Sequence, residues 1–431
     1  GESKRITAMI REAEPYLNVP AAALDSDPMV LNLENGTLEL SGACDVLRPH
    51  ERGDLITHLC PVTYDPAADA PVFKAFLHRV QPLAPVRGFL QRWTGYCQTG
   101  RTDEQKMVFD FGGGANGKST FNNLIGRMMG GYTKALPFGS LIKDDRRSGS
   151  EATPDIAELP GARFVQVSEP NRGQELDPAR LKTMTGGDPL PARQLYKPPF
   201  HFLPQFKIVI AGNHKPKISD QDDGIWRRVL LVPWEVQIPV AERDAALPDR
   251  LWAERSGVLN WVLDGLRLWL EDGLQVPAEV ADATADYRAE GDPVGKFVAA
   301  MVVVNPHLDI GAGKLFEAYQ EWCKRVGERV WSNKAFGQKM VEMGYERKDR
   351  SGGRFYIGIS VREDEESPPP SEGDYGGRAR VTVGAPSRAR GLTLSAPPPP
   401  SMVQVLERIE AMEGVEGVEG YRGKCFRRAH T

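Results

Sequence analysis

The chain has 431 residues, of which 41% are hydrophobic and 26% are charged, and its formal net charge is −4. This composition indicates a globular protein of about two or three domains. The low net charge means that any nucleic-acid site must be a local patch. The five cysteines are scattered and form no CxxC pair, which argues against a zinc site or a disulfide framework and favours a reducing compartment.

The first hundred residues combine short helical patterns with turn signals such as Asn35-Gly36. The chain begins GESKRITAMI, with neither an initiating methionine nor a signal-peptide pattern, and this start predicts a fragment of a longer protein. No apolar run approaches the ~18 residues that a membrane-spanning helix needs. We therefore expect no membrane segment.

A phosphate-binding pattern follows at FGGGANGKST (111–120). The apolar run MVFDF (107–111) predicts a buried strand before it, and the spacing of STFNNLIGRMM (119–129) predicts a helix after it. A glycine loop in this context lets backbone N–H groups converge on phosphate oxygens, with Lys118 on the β- and γ-phosphates and the Ser119 hydroxyl on Mg²⁺. A glycine-rich turn with a chance lysine is the weaker interpretation. The residues expected to bind the nucleotide are Gly112, Gly113, Gly114, Ala115, Asn116, Gly117, Lys118, Ser119 and Thr120.

The next two predicted strands end in polar side chains. ARFVQVSEP (162–170) ends in Ser168 and Glu169, and KIVIAGNHKP (207–216) continues into Asn213. A carboxylate at a strand end can hold Mg²⁺ through water or act as a base, whereas an amide can orient the attacking water and sense the γ-phosphate. The alternatives are a solvated acid for Glu169 and a turn asparagine for Asn213.

A basic segment separates these two strands. From Arg180 to Lys217 there are seven lysines or arginines and one acid, and QLYKPPFHF (194–202) predicts a hairpin with a tight tip near its two prolines. Such a tip suits single-stranded nucleic acid, because Lys197 can pair with phosphate and Tyr196 can pack on sugar or base. A solvated basic loop is the alternative.

Two arginines precede the last apolar strand, in GIWRRVLLVPW (224–234). An arginine at a subunit edge can reach the γ-phosphate bound by a neighbouring subunit and stabilise the charge of the transition state. This role requires a ring of subunits, since such an arginine cannot serve its own pocket. An ordinary surface pair is the alternative.

The rest of the chain predicts helices over 240–290 and then a small separate unit over 293–360. In that unit, 314–325 and 333–344 predict helices and 348–359 predicts a hairpin. From Trp331 to Arg354 there are six basic residues and three acids, which favours a second DNA contact, with protein docking as the alternative. From about residue 361 the composition predicts a disordered tail rich in proline and glycine.

In their order these motifs resemble superfamily 3 helicases, and among them the helicase part of phage and plasmid primase-helicases of the poxvirus-type group. The resemblance spans about residues 20–360 and rests on NGTLEL, RPHERGD, FLQRWTGYCQTG, GGANGKSTF, TGGDPLPARQLY, NHKP and WRRVLLVPW. It implies an α/β P-loop NTPase core of the AAA+ type, with a helical collar-like segment before it and a winged-helix domain after it. The implied domains are the collar or oligomerisation segment at 1–100, the ATPase at 101–290, the winged helix at 291–360 and the disordered tail at 361–431.

The resemblance also implies a function. The expected activity is that of an ATP-dependent DNA helicase, a hexameric ring that uses ATP and Mg²⁺ and translocates 3′ to 5′ on single-stranded or forked DNA. Phage or plasmid replication in a bacterial cytoplasm is the implied setting, with other replication proteins as further partners. No primase active site is expected in this chain, because the primase domain of the family precedes the collar-like segment.

Individual roles follow by position from the same resemblance. Lys118, Glu169 and Asn213 correspond to the catalytic lysine, the motif-B acid and the motif-C sensor. Arg228 best matches the arginine finger, and Arg227 stays open for that role. Lys197 corresponds to the lysine of the central-channel hairpin, and Arg193 contacts either nucleotide or DNA. The sequence departs from the viral pattern at Ser168-Glu169, which supplies one acid in place of two, so the division of metal and base roles stays open.

The sequence is also compatible with two other functions. An initiator-type AAA+ protein would melt or mark an origin without processive unwinding. A protein that binds ATP only to assemble a ring would keep its function without hydrolysis. Both use the same nucleotide pocket, so the sequence does not separate them.

Overall fold

The computed structural model describes residues 2–14, 19–41, 45–142, 152–218 and 223–362. The described residues belong to one compact unit, Gly1–Glu363. From residue 363 onward, the predicted disordered tail lies outside the described residues.

The N-terminal part of the chain begins with a helix and a small antiparallel sheet. Its elements are α1 (Glu2–Ala13), β1 (Val30–Leu33), β2 (Gly36–Glu39) and β3 (Val46–Arg48), with the strands paired in the order β1-β2-β3. Alternation in VLNLENGTLEL places Leu31, Leu33 and Leu38 in the core. The prediction of a helical segment is therefore wrong for residues 30–48, because this alternation and the Asn-Gly turn signal favour a hairpin.

A parallel sheet forms the centre of the unit. The described residues of this part of the chain form seven strands: β4 (Met107–Phe111), β5 (Thr133–Leu136), β6 (Phe164–Val167), β7 (Leu190–Ala192), β8 (Phe200–Phe202), β9 (Lys207–Gly212) and β10 (Val229–Pro233). Five of them lie parallel in the order β10-β4-β9-β6-β5, and β7 and β8 form a separate antiparallel hairpin. The mixed α/β fold with a parallel sheet is thus confirmed, and the strand that precedes the glycine loop lies between β10 and β9.

Helices cover both faces of this sheet. They are α2 (Pro71–Val80), α3 (Ala84–Gln98), α4 (Lys118–Met129), α5 (Pro154–Ala157), α6 (Pro178–Thr185), α7 (Asp223–Trp226), α8 (Leu247–Ala253), α9 (Arg255–Asp272) and α10 (Ala278–Glu290). Successive strand residues point to opposite faces, so Val108 packs in one hydrophobic core while Met107 and Phe109 pack in the other. Burial on both faces explains why the strands are continuous apolar runs in the sequence.

The core continues across residue 100, the boundary predicted between the first segment and the ATPase domain. Helices α3 and α9 share one hydrophobic core. Two buried cations join the end of α3 to the sheet: Arg163, directly before β6, donates to the Gln98 carbonyl oxygen at 2.6 Å, and Lys207 of β9 donates to the Thr99 carbonyl oxygen. Burial lowers the pKa of Lys207 to about 7. Helix α3 is therefore one of the helices that pack on the sheet.

Residues 293–361, called here the C-terminal module, surround a core of their own. The elements are α11 (Pro293–Met301), β11 (Val302–Gly311), α12 (Ala312–Val326), α13 (Asn333–Glu342), β12 (Arg347–Arg350) and β13 (Gly353–Val361). The three strands are antiparallel in the order β11-β13-β12, and the Phe297 ring lies 5.5 Å from that of Tyr319. The two helices and the hairpin predicted in this range are present. Their winged-helix and DNA-binding assignments stay predictions.

Candidate functional site

The glycine loop connects β4 to α4 at the carboxyl edge of the parallel sheet. Helix α4 begins at Lys118, directly after Gly117, whose φ is +85°. A side chain at Gly112 would place its Cβ 2.1 Å from the Trp234 carbonyl oxygen, and one at Gly117 would lie 2.7 Å from Val80 Cγ1. Only glycine fits both places. The strand, loop and helix predicted from the sequence are therefore present, and the unpaired N–H groups of a helix start face the loop.

Lys118 links the loop to the end of the neighbouring strand. Its side chain is buried, with 4% of the residue exposed, and Nζ donates to the Gly112 carbonyl oxygen at 2.7 Å and to Asn213 Oδ1 at 3.0 Å. Burial lowers the pKa of Lys118, while the charges of Asp110 and Glu169 act in the opposite direction. The lysine is thus held by two oxygen acceptors in a site where an anion would be favoured.

Glu169 and Asn213 lie together at the same edge, beyond the ends of β6 and β9. The Asn213 backbone N–H donates to Glu169 Oε1 at 2.6 Å, and both residues are exposed. Ser168 has a different task, since its Oγ accepts from the Phe138 N–H at 2.8 Å and holds the segment after β5. The structure therefore brings together Lys118, Glu169 and Asn213, which the sequence predicted from three separate motifs.

A buried carboxylate below the loop was not predicted. Asp110 in β4 is 1% exposed and accepts from Asn122 Nδ2 of α4 at 2.7 Å and from Trp234 Nε1 at 2.8 Å. Burial raises the pKa of Asp110 to about 6, although both hydrogen bonds favour the ionised form. The sequence signal was an acid inside an apolar strand, MVFDF, which needs partners when it is buried. Asp110 thereby ties the loop strand to α4 and to the segment after β10.

That segment, residues 234–238, lies along the outside of the glycine loop. The Asn116 side chain donates from Nδ2 to the Trp234 carbonyl oxygen at 2.9 Å, and the Ile238 N–H donates to the Ala115 carbonyl oxygen at 2.8 Å. Asn116 is buried, while Gly113, Ala115 and Ser119 are exposed. Asn116 therefore shapes the loop, whereas Ser119 on the first turn of α4 is open to solvent.

A cavity of about 790 Å³ opens beside the loop. Its walls come from α2, the loop and residues 238–250, and they include Val72, Phe76, Val80, Ile238 and Leu247. An ion pair between Arg79 and Glu242 (2.8 Å) lies at the cavity, and Arg250 pairs with Asp244. A mostly apolar cavity with charged groups is typical of a small-molecule site.

The residues at the site fit a magnesium ion that is shared with a nucleotide. The described residues contain no group of three or more His, Cys, Asp and Glu side chains that could hold a metal by themselves. Mg²⁺ usually takes one or two protein oxygens and completes its shell with phosphate oxygens and water. The Ser119 hydroxyl and the Glu169 carboxylate are oxygen donors of that kind.

The two arginines before β10 differ in environment. Arg228 is 7% exposed, and its guanidinium donates to the Gly224 carbonyl oxygen at 2.5 Å and to Gln105 Oε1 at 3.2 Å. Arg227 is exposed. The choice between Arg228 and Arg227 for the arginine finger stays a prediction. Within this chain the Arg228 guanidinium binds the protein interior, and Arg227 is the arginine that faces solvent.

The predicted basic hairpin is present, with β7 and β8 joined by residues 193–199. Tyr196 is fully exposed with φ +60°, and Lys197 beside it is exposed too. Arg193 supports the tip, since its Nε donates to the Lys197 carbonyl oxygen at 3.3 Å. The basic charge of the wider segment is not all on this surface, because Lys207 is only 2% exposed.

No helix among the described residues is long and apolar enough to span a membrane.

Two family models match the chain. One is described as D5 N terminal like and matches residues 1–82, and the other is a family of unknown function (DUF5906) that matches residues 111–228. The second match begins at the last residue of β4 and ends at Arg228, so it includes the glycine loop, Glu169, Asn213 and the hairpin.

Several curated proteins of large DNA viruses are similar to the chain. A protein of Acanthamoeba polyphaga mimivirus named "Putative helicase L207/L206" is 29% identical over 326 residues, which cover 70% of this chain and 33% of that protein. "Putative helicase 022R" of Frog virus 3 is 30% identical over 270 residues, or 58% of this chain and 27% of that protein. "Putative primase C962R" of African swine fever virus is 23% identical over 325 residues, 69% of this chain and 34% of that protein. The chain thus spans about a third of the length of these relatives.

Among solved structures, the apo form of the NrS-1 C terminal region aligns with 82% of this chain and 91% of its own, at 12% identity and a TM-score of 0.43. At that score the likeness carries no argument about fold or function. The two family models and the viral relatives do confirm the family indicated by the sequence motifs. Together these matches support a primase-helicase family region in this chain.

Proposed function

We propose that this chain is an ATP-dependent DNA helicase of the P-loop, superfamily 3 type that acts as a ring of subunits. The observation that carries the proposal is the position of Lys118, whose ammonium lies between the Gly112 carbonyl and the Asn213 amide at the start of α4. A buried ammonium whose hydrogen bonds within the described residues go to neutral oxygens gains from an anionic partner. The β- and γ-phosphates of ATP are such a partner, and a loop of this kind is built to accept them.

The other site residues support ATP hydrolysis. Ser119 and Glu169 would hold Mg²⁺ together with phosphate oxygens and water. Glu169 would also accept a proton from, or orient, the attacking water, and Asn213 would align that water when its amide is released from Lys118. The cavity of about 790 Å³ beside the loop would take the nucleoside, since its apolar walls suit a base.

The position of the exposed arginine supports a ring of subunits. Arg227 precedes β10, which pairs in parallel with β4 so that Val229 lies opposite Met107, whereas the glycine loop follows Phe111 at the other end of the strand. Five strand residues separate these edges by roughly 16 Å. Arg227 is therefore placed away from its own loop and would act on the nucleotide of a neighbouring subunit. A hexamer is the ring that the family resemblance implies.

The hairpin of β7 and β8 is the proposed contact with single-stranded DNA. Its exposed tip offers an ammonium at Lys197 and an aromatic ring at Tyr196, the two groups that bind phosphate and stack on bases. A left-handed backbone is costly for tyrosine, and such strain tends to occur where it serves a function. In a ring, six such tips would surround one strand, with translocation expected from 3′ to 5′.

An origin-melting initiator without processive unwinding is the second candidate. Exposed strand β12 favours it, because Arg347, Lys348 and Arg350 in this strand could contact duplex DNA.

The deciding experiment is ATP-dependent strand displacement on a fork with a 3′ single-stranded tail. The matched control is Lys118→Ala, which removes the ammonium at the loop and should lower ATP turnover by at least about 100-fold. Displacement by the parent chain that is lost in this variant would support the helicase. ATP hydrolysis without displacement would favour the initiator, and equal turnover in parent and variant would refute the nucleotide site.

A further inference from the structure

The loop that carries Asn213 is fastened to α10. Two residues after Asn213, Lys215 Nζ donates to Glu290 Oε1 at 2.7 Å. One residue later, the Pro216 carbonyl oxygen accepts from the Tyr287 hydroxyl. Residues 213–216, called here the sensor loop, therefore share two polar contacts with the last turn of this helix.

Lys215 also reaches the strand below the glycine loop. Its ammonium lies 4.8 Å from the centre of the Phe111 ring and 5.6 Å from that of Tyr287, and its side chain is only 19% exposed. Phe111 is the last residue of β4, directly before Gly112. A cation between two aromatic faces and a carboxylate has little freedom to move. Lys215 thus fixes the sensor loop against the start of the glycine loop.

Glu290 connects this arrangement to the C-terminal module. Its carboxylate binds Lys215, while its carbonyl oxygen accepts from Lys296 Nζ at 2.8 Å. Lys296 belongs to α11 and also pairs at 2.7 Å with Glu328, two residues after the end of α12. A crevice of about 210 Å³ lies at the same junction, with Lys215, Glu290 and Arg329 among its lining residues. One residue therefore contacts the sensor loop with its side chain and the C-terminal module with its main chain.

We propose that Lys215 is a positioning residue for Asn213, and that the Lys215–Glu290–Lys296 chain of contacts couples ATP turnover to the C-terminal module. This inference rests on the proposed function, since it assigns a partner to the same site. Asn213 is exposed and its Oδ1 accepts from Lys118 Nζ at 3.0 Å, so the place of its amide depends on where the sensor loop is held as well as on that hydrogen bond. A misplacement of about 1 Å in such a group can lower a rate by about 100-fold.

The test begins with Lys215→Ala, measured as kcat, KM and the dissociation constant of a fluorescent ATP analogue. We expect kcat to fall about 10- to 100-fold while nucleotide affinity changes less than about threefold, because Lys215 positions the sensor without reaching the phosphates. Lys74→Ala is the matched control, since it breaks an exposed ion pair between Lys74 of α2 and Asp69, which precedes that helix, and should leave both quantities unchanged. An equal loss of affinity and kcat, or a fall in thermal stability large enough to explain the loss, would overturn the positioning role.

Charge exchange separates the ion pair from a general loss of packing. Lys215→Glu and Glu290→Lys should each lower kcat, and the double variant should recover at least about half of the loss, because it restores the pair in the opposite sense. Additive losses in the double variant would overturn the pairing.

Lys296→Ala tests the connection to the C-terminal module. Basal turnover without DNA should remain within about twofold of the parent, while the stimulation by single-stranded DNA should fall about fivefold or more. Unchanged stimulation would overturn the coupling. Lack of any turnover in the parent chain would refute the proposed function itself, whereas normal turnover in Lys215→Ala beside an active parent would refute only this inference.

Discussion

At the scale of single residues, the site is organised by buried polar groups that have defined partners. Lys118 is held by Gly112 and Asn213, and Asp110 is held by Asn122 and Trp234. A buried charge without partners would cost several kcal/mol, so these hydrogen bonds fix both the loop and the helix that follows it. The two arginines before β10 differ in the same respect. The guanidinium of Arg228 is buried and bound within its own chain, whereas Arg227 is exposed to solvent.

Asp110 gives a pH-dependent prediction at this scale. Its pKa is about 6 in the folded chain, above the ordinary value of 3.8, so between these values the folded state binds more protons than the unfolded state. The contribution of Asp110 to the free energy of unfolding therefore falls as pH rises through this window, by up to about 3 kcal/mol. Asp110→Asn removes this dependence and can still accept from Trp234 while donating to a flipped Asn122 amide.

The measurement is denaturant unfolding of parent and variant at several values between pH 4 and pH 7. The free energy of unfolding of Asp110→Asn relative to the parent should increase with pH over this range. A constant difference between the two proteins would mean that Asp110 titrates at its ordinary value.

At the scale of elements, the small N-terminal sheet was not predicted from the sequence, whereas the β7–β8 hairpin was. The strands of residues 30–48 are short, and the alternation in VLNL and TLEL extends over only four residues each, so helical patterns around them outweigh this signal in the sequence. The β7–β8 hairpin was predicted, since its prolines and its length leave few other conformations. The exposure of its tip could not be predicted from the sequence, because it depends on tertiary contacts. Thr153 and the Lys197 carbonyl oxygen bind Arg193, while the side chains of Tyr196 and Lys197 lie in solvent.

Lys197→Ala is the prediction for this hairpin. Basal ATP turnover should stay within about twofold of the parent, because Lys197 is bound within the hairpin, where its N–H donates to the Gln194 carbonyl oxygen and its own carbonyl oxygen accepts from Arg193 Nε. Stimulation of turnover by single-stranded DNA should be lost, together with strand displacement, since the phosphate contact is removed. DNA binding by fluorescence anisotropy at two salt concentrations checks the cause, with Lys74→Ala as the exposed-lysine control. Equal DNA stimulation in the variant would contradict the assignment of the channel hairpin.

At the scale of the whole molecule, the order of strands places the two halves of the proposed active site at opposite edges of one sheet. The glycine loop, Glu169 and Asn213 follow the carboxyl ends of β4, β6 and β9, whereas Arg227 precedes β10. A single chain therefore holds a phosphate site and an exposed arginine that do not meet. Assembly into a ring would join them across each subunit interface.

Arg227→Ala should lower ATP turnover by about 10³-fold or more in a ring of variant subunits while leaving nucleotide binding within about threefold of the parent. Each site would use the Arg227 of a neighbouring subunit. In rings that contain both variant and parent chains, turnover should therefore fall with the fraction of sites whose neighbour is a variant chain. Lys118→Ala chains, which keep Arg227, provide the complementary mixture. Arg228→Ala should instead lower thermal stability, since it removes a buried guanidinium that donates to Gly224 and to Gln105. Normal turnover in Arg227→Ala would exclude it as the finger.

The sequence by itself predicted the α/β core, the glycine loop at 112–117 and the candidate residues Lys118, Glu169 and Asn213, because local patterns specify strands and helices and a phosphate-binding loop needs a fixed spacing of glycine and lysine. Contacts between residues far apart in the chain were decided only by the tertiary structure. They include the partners of Asp110, the burial of Arg228 and the path from Lys215 through Glu290 to the C-terminal module. The physical reason is that burial and hydrogen bonding depend on which strands become neighbours, and the order β10-β4-β9-β6-β5 is not a property of any short segment.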